Sequence, residues 1–409
     1  METINKVAVL ISWPRELDMF SIIINNIDNN LFVIIVDDFI YKEREREGNA
    51  VKIIELLGGL PYVLLSDVVN RIRYKYLFST AQAFKQKITA MTFAKFLLSK
   101  SIGVFIEVYK LDKILIKTFG RPLSGGGKKA KNFKIIQIER LLGVKTIRFP
   151  KGLDVSAKRY PVERWRGVFD LHLCHSDIDY NLVRKKFSNE KCLKIGYPRY
   201  DNVIDCKKSK NIINKEFSQI NSKKPLIVWV SAHIKIEDEF GYNIELWAPV
   251  VKKLTDEYNV IVRPHPKTCI VGQTLINNIK ESRLIIDQKF DRKMNILYQA
   301  ADVILADYGG SVLDSIYMKK NIILLNMPNT TEFYKWRIDG KYLDNYVRNN
   351  IKSVDYKDDL NLHKLVDSVL RKSNELNLSI LRDKYFKRDG NYIDVSNLIC
   401  KLENELKQN

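Results

Sequence analysis

The second half of the chain contains a glycine turn of the kind that binds phosphate. An apolar run at residues 303–306 predicts a short strand, Gly309 and Gly310 follow it, and Ser311 is expected to begin a helix. Exposed backbone N–H groups at such a turn and the dipole of the following helix both favour an anion. We therefore predict that the two glycine amides and the Ser311 hydroxyl hold a phosphate group.

Two carboxylates lie on either side of this turn. Asp307 directly follows the predicted strand, and Asp314 lies on the first turn of the predicted helix. We expect Asp314 to accept hydrogen bonds from the hydroxyl groups of a ribose. We assign Asp307 to the same site, which would bind a nucleotide donor. The alternative is a purely structural turn, because glycine adopts positive φ values that other residues avoid. The flanking carboxylates favour a binding site.

A second phosphate-binding segment, RPHPK at residues 263–267, follows another predicted strand. The prolines on both sides of His265 restrict its backbone, and α/β sheets bind ligands at the carboxyl ends of their strands. We predict that Arg263, His265 and Lys267 clamp phosphate and neutralise a departing nucleotide. His233 ends an earlier strand and is expected at the same edge, where contact with phosphate and contact with an acceptor both stay open.

Short apolar runs alternate with helical stretches along the chain, which predicts an α/β protein with mainly parallel sheets. The predicted strands of the first half are 7–12, 31–38, 62–66, 103–109, 144–150, 168–175 and 192–198, and those of the second half are 225–233, 258–266, 283–287, 302–307 and 321–326. We predict an N-terminal domain at 1–206, a polar, lysine-rich linker at 207–224 and a C-terminal domain at 225–409, with a cleft between the two domains. Two placements stay open for the last helix, which either remains in the second domain or packs back on the first.

The net charge of +20 indicates an anionic partner. Residues 71–100 contain seven Lys or Arg and no Asp or Glu, and we predict a basic, aromatic helix there. Its two interpretations are peripheral contact with an anionic membrane and, slightly favoured, packing of one face into a domain core. No apolar run reaches the ~20 residues of a membrane span. The first residues lack a basic leader with a small-residue cleavage site, so we expect no secretory signal there. We expect a cytoplasmic protein, with its inner-membrane association left open.

Metal and nucleic-acid binding have little support in the sequence. The five cysteines are scattered without a CxxC pair, which predicts reduced thiols. His172 and His175 lack further ligands at metal-binding spacing and are predicted to be ordinary strand residues. The segment 120–131 departs from a P-loop, because no lysine directly follows its second glycine, and we predict a flexible basic loop near an anionic acceptor. We expect no metal and no cofactor. We also expect no nucleic-acid partner, an alternative that only the net charge suggests.

Three blocks together resemble the CDP-glycerol glycerophosphotransferases of teichoic-acid-type polymer synthesis. GYPRYDNV at 196–203 resembles the G-x-P-R-x-D element of that family, and RPHPK at 263–267 resembles its HP motif. ADVILADYGGSVLDSIYMKKNIILLN at 301–326 resembles its D-x-S-S-hydrophobic-x-D block, with a Gly-Gly-Ser sequence around the usual serine pair. The resemblance implies a GT-B fold, in which two Rossmann-like domains with parallel sheets face a central cleft.

The resemblance also implies an activity. Glycerol-phosphate, or a similar polyol-phosphate, would pass from a CDP-linked donor to an acceptor hydroxyl, with release of CMP. The nucleotide-linked donor would bind mainly through the second domain, and an anionic or lipid-linked glycan acceptor would bind to the basic first domain.

One position departs from the family pattern. Where the family has a W-H-G element, whose histidine is thought to be the base, this chain has TIRFPKGLD at 146–154, with Lys151 in place of the histidine. A lysine of ordinary pKa, about 10.4, is protonated at neutral pH and is a poor base. Three alternatives follow: Lys151 is an electrostatic contact at the catalytic centre, another residue is the base, or the reaction differs. Asp154, Asp37 and Asp38 are the carboxylates that the sequence places within reach. Two alternatives remain: a glycosyltransferase of capsule or lipopolysaccharide assembly that uses a CMP- or UDP-sugar, and a protein that binds nucleotide without turnover.

Overall fold

A computed structural model of the chain describes most of the sequence. The described residues are 2–38, 44–68, 71–80, 124–125, 135–136, 139, 142–150, 169–184, 191–201, 204–234, 241–271, 276–277, 279, 284–289, 291–327, 343–356, 358–372, 375–386 and 392–408. Lys151, Asp154, the predicted strand 103–109 and most of the segment 120–131 lie outside them, so the predictions on those positions are not addressed by the structure.

The chain divides into two compact units, which we call unit 1 and unit 2. Unit 1 contains Met1–Lys151, Pro161–Gly196 and Asp389–Asn409, and the long continuous segment of unit 2 is Tyr197–Arg388. The boundary therefore falls after Gly196, ten residues before the predicted one, and the C-terminal residues belong to the first unit.

Unit 1 is built on a seven-stranded parallel sheet with the strand order β3-β2-β1-β4-β7-β8-β9. Its strands are β1 (Glu2–Ile11), β2 (Phe32–Val36), β3 (Tyr62–Leu64), β4 (Ile72–Ser79), β7 (Gly143–Arg148), β8 (Leu171–Cys174) and β9 (Cys192–Lys194). A separate antiparallel pair joins β5 (Ser124–Gly125) and β6 (Ile135–Ile136). Every residue of β2 is buried, as expected for a parallel strand covered on both faces.

The C-terminal helix completes the core of unit 1. The described helices of this unit are α1 (Arg15–Met19), α2 (Ser21–Ile24), α3 (Arg44–Leu56), α4 (Leu65–Val68), α5 (Asp177–Arg184) and α15 (Val395–Lys407), with a 3-10 helix at Asn29–Leu31. In α15, Leu398, Ile399 and Leu402 belong to the same apolar core as Val9 and Phe78. These apolar residues repeat at helical spacing, so α15 buries one face although it follows the second unit in sequence.

The basic segment 71–100, predicted as a helix, begins with a strand instead. Ile72–Ser79 forms β4, which lies between β1 and β7 in the centre of the sheet. Its buried aromatic residues are Tyr74, Tyr76 and Phe78. Aromatic residues that alternate with other side chains at a period of two favour a strand over a helix. Residues 81–100, which carried the proposed membrane-facing surface, lie outside the described part of the chain.

Unit 2 contains a six-stranded parallel sheet with the order β12-β11-β10-β13-β14-β15. Its strands are β10 (Leu226–Val230), β11 (Asn259–Arg263), β12 (Ile285–Ile286), β13 (Val303–Ala306), β14 (Ile322–Leu325) and β15 (Ser353–Val354). Numbered within the unit, this order is 3-2-1-4-5-6, that of a Rossmann fold. The order reverses between β10 and β13, where such sheets bind ligands at the carboxyl ends of their strands.

Helices surround this second sheet. They are α6 (Pro198–Asp201), α7 (Cys206–Glu216), α8 (Asn243–Lys252), α9 (Pro266–Val271), α10 (Met294–Ala300), α11 (Gly310–Tyr317), α12 (Leu343–Asn350), α13 (Asp359–Arg371) and α14 (Glu375–Phe386), with a 3-10 helix at Lys253–Asp256. Trp247 of α8 and Val366 of α13 pack in one apolar core with Trp229 of β10. Among the helices that the structure describes in either unit, none is long and apolar enough to cross a membrane.

The predicted linker 207–224 is largely a packed helix, α7. Asp205 caps its first turn by accepting a hydrogen bond from the Lys208 amide, and Lys210 pairs with Asp302 at 2.6 Å. Ile213 is fully buried. A few buried positions among many lysines are enough to hold one face of a helix while the other face stays in water, which explains why composition alone suggested a linker.

Candidate functional site

The candidate site of unit 2 lies at the carboxyl edge of its sheet. His233 follows β10, His265 follows β11, and Gly309 follows β13. In the sheet β10 lies between β11 and β13, and neighbouring strands are about 4.8 Å apart. The strand order therefore brings together three positions that sequence analysis had assigned to the site separately.

The glycine turn after β13 has a backbone conformation that suits glycine. Gly309 has φ 94° and ψ −161° and forms the N-cap of α11, which begins at Gly310. A β-carbon at position 309 would meet no atom within 4 Å, so the requirement comes from the backbone angles alone. The first N–H groups of a helix have no partner within the helix. Gly310 and Ser311 therefore supply the first amides of α11, and Ser311 lies half-buried on its first turn.

Asp307 joins the ends of β10 and β13. It is fully buried, and its carboxylate accepts hydrogen bonds from Trp229 Nε1 at 3.0 Å and from the Ala232 amide at 3.1 Å. Asn243 Nδ2 donates to the same carboxylate. Burial raises the pKa of Asp307 to about 6, and these hydrogen bonds oppose the rise. This carboxylate thus holds the loop after β10 in place, while direct contact with a donor stays a prediction.

A buried arginine that the sequence analysis missed supports the same turn from the other side. Arg348 of α12 donates through Nη2 to the Asp307 carbonyl and through Nη1 to Asn326 Oδ1 at 2.6 Å. Its guanidinium lies 3.9 Å from the centroid of the Tyr308 ring, within the range of a cation–π contact. The peptide that leads into Gly309 is therefore held by both the carboxylate and the carbonyl of Asp307.

The two histidines lie close to each other at the ends of β10 and β11. Their ring centroids are 6.1 Å apart. His233 Nδ1 lies 2.9 Å from Thr268 Oγ1, and its ring lies 4.8 Å from the ring of Tyr242. The Thr268 amide donates to the His265 carbonyl at 2.8 Å. Thr268 thus contacts both histidine loops, a link that no sequence motif indicated.

Arg263 is held within the sheet edge. Its side chain is buried, and Nη1 donates to the Asp287 carbonyl at 2.9 Å and lies 3.5 Å from Asp287 Oδ2. Burial lowers the pKa of Arg263, and the Asp287 carboxylate opposes that change. The backbone of Lys267 lies in α9, and its side chain is outside the described part. The donor-binding roles of both residues stay predictions, and for Arg263 the described partner is Asp287.

A cavity of about 310 Å³ lies at the end of β12. Its lining residues are Glu216, Phe217, Asp287, Gln288, Lys289 and Arg292. Arg292 binds both oxygens of Asp287, with Nε at 2.9 Å and Nη2 at 3.1 Å, and Lys289 lies 3.3 Å from Glu216. The cavity therefore combines one aromatic ring with carboxylate, amide and cationic groups.

The GYPRYD block attaches to α11. Tyr197 donates to Asp314 Oδ1 at 2.9 Å, and Tyr200 donates to Asp314 Oδ2 at 2.8 Å. Tyr317 of α11 donates in turn to Asp201. Both carboxylate oxygens of Asp314 therefore have tyrosine partners, and its contact with ribose stays a prediction. Two motifs recognised separately in the sequence are one packed unit in the structure.

The carboxylates considered for the base in unit 1 have partners of their own. Asp37 accepts the Ser12 hydroxyl at 2.8 Å, and Asp38 accepts the amide and the hydroxyl of Ser66, the latter at 2.5 Å. A further carboxylate, Glu139, was not anticipated. It is 1% exposed and accepts the Ser79 hydroxyl at 2.9 Å.

Glu139 has an unusual environment. Its second oxygen, Oε2, has no hydrogen-bond partner in the described part of the chain. Burial raises its pKa to about 7, the Ser79 hydroxyl opposes the rise, and the nearby charges of Asp37 and Glu16 add to it. Glu16 in turn accepts the Ser12 amide at 2.7 Å. These groups form a buried acidic cluster at the carboxyl ends of β1, β2 and β4.

Two histidines lie in β8 or directly after it. His172 and His175 are both buried, and His175 Nδ1 lies 2.7 Å from the Gly196 carbonyl. Within the described ranges, no group of three or more His, Cys, Asp or Glu side chains has the arrangement of a metal site.

The fold places the protein in a class, the GT-B type, with two Rossmann-like α/β units. Solved structures of the wall teichoic acid polymerase TagF are similar to it. A variant of TagF has a TM-score of 0.60 at 12% identity, over 99% of this chain and 89% of that chain. A variant soaked with CDPG has a TM-score of 0.58 at 12% identity, over 99% and 90%. At such low identity this likeness establishes the fold, and it confirms the predicted fold class.

The family follows from the sequence as a whole. The family model of the CDP-Glycerol:Poly(glycerophosphate) glycerophosphotransferases matches residues 75–393, well over half of the chain. The protein belongs to this family and is a transferase, which confirms the resemblance drawn from the three blocks. No curated protein sequence matches the chain.

Proposed function

We propose that the protein transfers glycerol-phosphate, or a similar polyol-phosphate, from a CDP-linked donor to an acceptor hydroxyl during teichoic-acid-type polymer synthesis, with release of CMP. The observation that carries the proposal is the convergence of His233, His265 and the Gly309 turn at the strand ends where the sheet order of unit 2 reverses. Family membership supports a CDP-linked donor.

We assign the diphosphate of the donor to the strand ends that carry His233, His265 and the Gly309 turn. The amides of Gly310 and Ser311 at the start of α11, together with the helix dipole, favour an anion. His265 and His233 supply donors from the neighbouring strand ends. Hydrogen-bond donors that are already oriented stabilise negative charge as it develops, which is usually the largest catalytic effect. The contacts of Asp307, Arg348 and Thr268 keep these donors in place before substrate arrives.

The nucleobase is assigned to the cavity at the end of β12. β12 and β13 are three strand positions apart in the sheet, a distance of about 14 Å at the usual strand spacing. An extended nucleoside diphosphate covers a comparable length. Phe217 offers an apolar ring, and the partly exposed carboxylate of Glu216 is an acceptor of the kind that binds the exocyclic amino group of cytosine.

In the reaction, the acceptor oxygen forms a bond to the β-phosphorus of the donor, and the bond from that phosphorus to the CMP oxygen breaks. CMP leaves with the electron pair, and the acceptor proton passes to a base. His265 and the turn amides stabilise the charge on the leaving phosphate. The acceptor is proposed to be an anionic or lipid-linked glycan. Lys151 and Asp154 keep their proposed catalytic roles, as a cationic contact and as a candidate base.

The test is a donor screen with the purified protein. CDP-glycerol, CDP-ribitol, CMP-sugars and UDP-sugars are supplied with a polyol-phosphate primer, and nucleotide release is measured by chromatography. We expect CMP only from the CDP-polyols. Release from CMP- or UDP-sugars alone would contradict the proposal and support a sugar transferase. We expect His265→Ala to abolish release without loss of folding, whereas His363→Ala, on α13 and paired with Glu257, serves as the matched control.

A further inference from the structure

Thr268 connects the two histidine loops of the candidate site. It lies on α9 and is 1% exposed. Its amide donates to the His265 carbonyl at 2.8 Å, and its hydroxyl lies 2.9 Å from Nδ1 of His233, a residue 35 positions away in the chain. A threonine near the start of a helix commonly bonds to nearby backbone groups. This hydroxyl instead contacts a side chain at the end of another strand.

Two contacts define the orientation of the His233 ring. Tyr242 lies against the ring at a centroid distance of 4.8 Å and an interplanar angle of 32°, which restricts the ring plane. The bond from Nδ1 to Thr268 restricts rotation within that plane. The two nitrogens have a fixed geometry within the rigid imidazole ring, so these contacts also restrict the direction of Nε2. The hydrogen bond at Nδ1 also influences which tautomer the neutral ring adopts.

We propose that Thr268 is a positioning residue for the transfer reaction. Its hydroxyl orients the His233 ring so that Nε2 faces the diphosphate of the donor. The inference rests on the proposed function, because it assigns a diphosphate to this edge of the sheet. The His233 and His265 rings are 6.1 Å apart, a separation that lets two imidazoles contact oxygens of one diphosphate. Loss of the Thr268 hydroxyl leaves the His233 ring against Tyr242 and removes the hydrogen bond at Nδ1 that restricts its rotation.

The experiment compares Thr268→Val with Thr268→Ser. Valine keeps the shape of threonine and removes the hydroxyl, whereas serine keeps the hydroxyl and removes the methyl group. The values of kcat and KM for CMP release from CDP-glycerol are measured across pH for both variants. We expect Thr268→Val to lower kcat/KM about tenfold, the effect of one hydrogen bond of about 1.4 kcal/mol, and to displace the pH profile. We expect Thr268→Ser to stay within about twofold of the parent protein.

Each outcome decides the inference. A loss in Thr268→Ser without a loss in Thr268→Val would show that only methyl packing matters, and equal losses in the two variants would show that the hydroxyl has no separate role. Either result, or unchanged kinetics in Thr268→Val, would overturn the proposal. Urea unfolding reports whether each variant is folded. If Thr268→Val does not fold, Thr268→Ala compared with Thr268→Ser isolates the hydroxyl in the same way. Absence of CMP release from the parent protein contradicts the proposed function, whereas release that is insensitive to the hydroxyl contradicts only the role of Thr268.

Discussion

Replacing Glu139 with glutamine is expected to stabilise unit 1 at alkaline pH and to leave it almost unchanged at acid pH. The carboxyl group is buried, and its pKa is raised from 4.5 to about 7. Between these two values the folded protein binds more protons than the unfolded chain, so the free energy of unfolding falls as the pH rises. The stabilisation from a protonated Glu139 is complete below pH 4.5 and is lost as the pH passes 7.

The structure sets the size of this effect. Each pH unit between the two pKa values changes the free energy of unfolding by about 1.4 kcal/mol. Relative to acid pH, the raised pKa of Glu139 then lowers the free energy of unfolding by on the order of 1 kcal/mol at pH 5 and 3 kcal/mol at pH 8. Glutamine carries no charge and keeps an oxygen for the Ser79 hydroxyl. Its amide N–H groups replace the unpartnered Oε2 near the charges of Asp37 and Glu16.

The assay is urea unfolding of the parent protein and Glu139→Gln at pH 5 and pH 8. Hydrogen exchange of β4 peptides, corrected for intrinsic exchange rates, assigns the change to unit 1. We expect the advantage of Glu139→Gln to grow by about 2 kcal/mol between the two pH values. Glu55→Gln, at an exposed position on α3, controls for removal of a charge. An equal pH dependence in the parent and Glu139→Gln would refute the argument.

Two further predictions concern unit 2. Gly309→Ala is expected to destabilise the protein by about 1–3 kcal/mol through backbone strain and to abolish donor binding, measured by calorimetry. Gly59→Ala, at φ 91° with equally open space, should cost similar stability and keep donor binding; equal binding in both variants would remove the turn from the site. Tyr197→Phe and Tyr200→Phe each remove a hydrogen bond to Asp314 and are expected to cost about 1.5–3 kcal/mol in urea unfolding. The costs should not add in the double variant, because the two hydroxyls share one carboxylate; strict additivity would mean that they act independently.

Local pattern was a good guide to most strands. The apolar runs of β2, β11 and β13 are fully buried strands, as their composition predicts. Pattern failed at β4, which was predicted as part of a helix. Basic and aromatic residues are mixed there, so too few apolar positions remain to distinguish the period of a strand from that of a helix. It also failed at β15, which has only two residues. In α7, frequent lysines concealed the buried positions that pack the helix.

The amino-acid sequence by itself determined which segments form most strands of unit 2 and which of those strands lead to His233, His265 and the glycine turn, because strands and turns follow from local composition. It also determined the family, through motifs whose order and spacing are visible in one dimension. Only the tertiary structure decided the partners of the polar side chains. Buried polar groups need hydrogen-bond partners, and these come from distant segments through the strand order. Hence Asp314 contacts two tyrosines, and Thr268 joins both histidine loops.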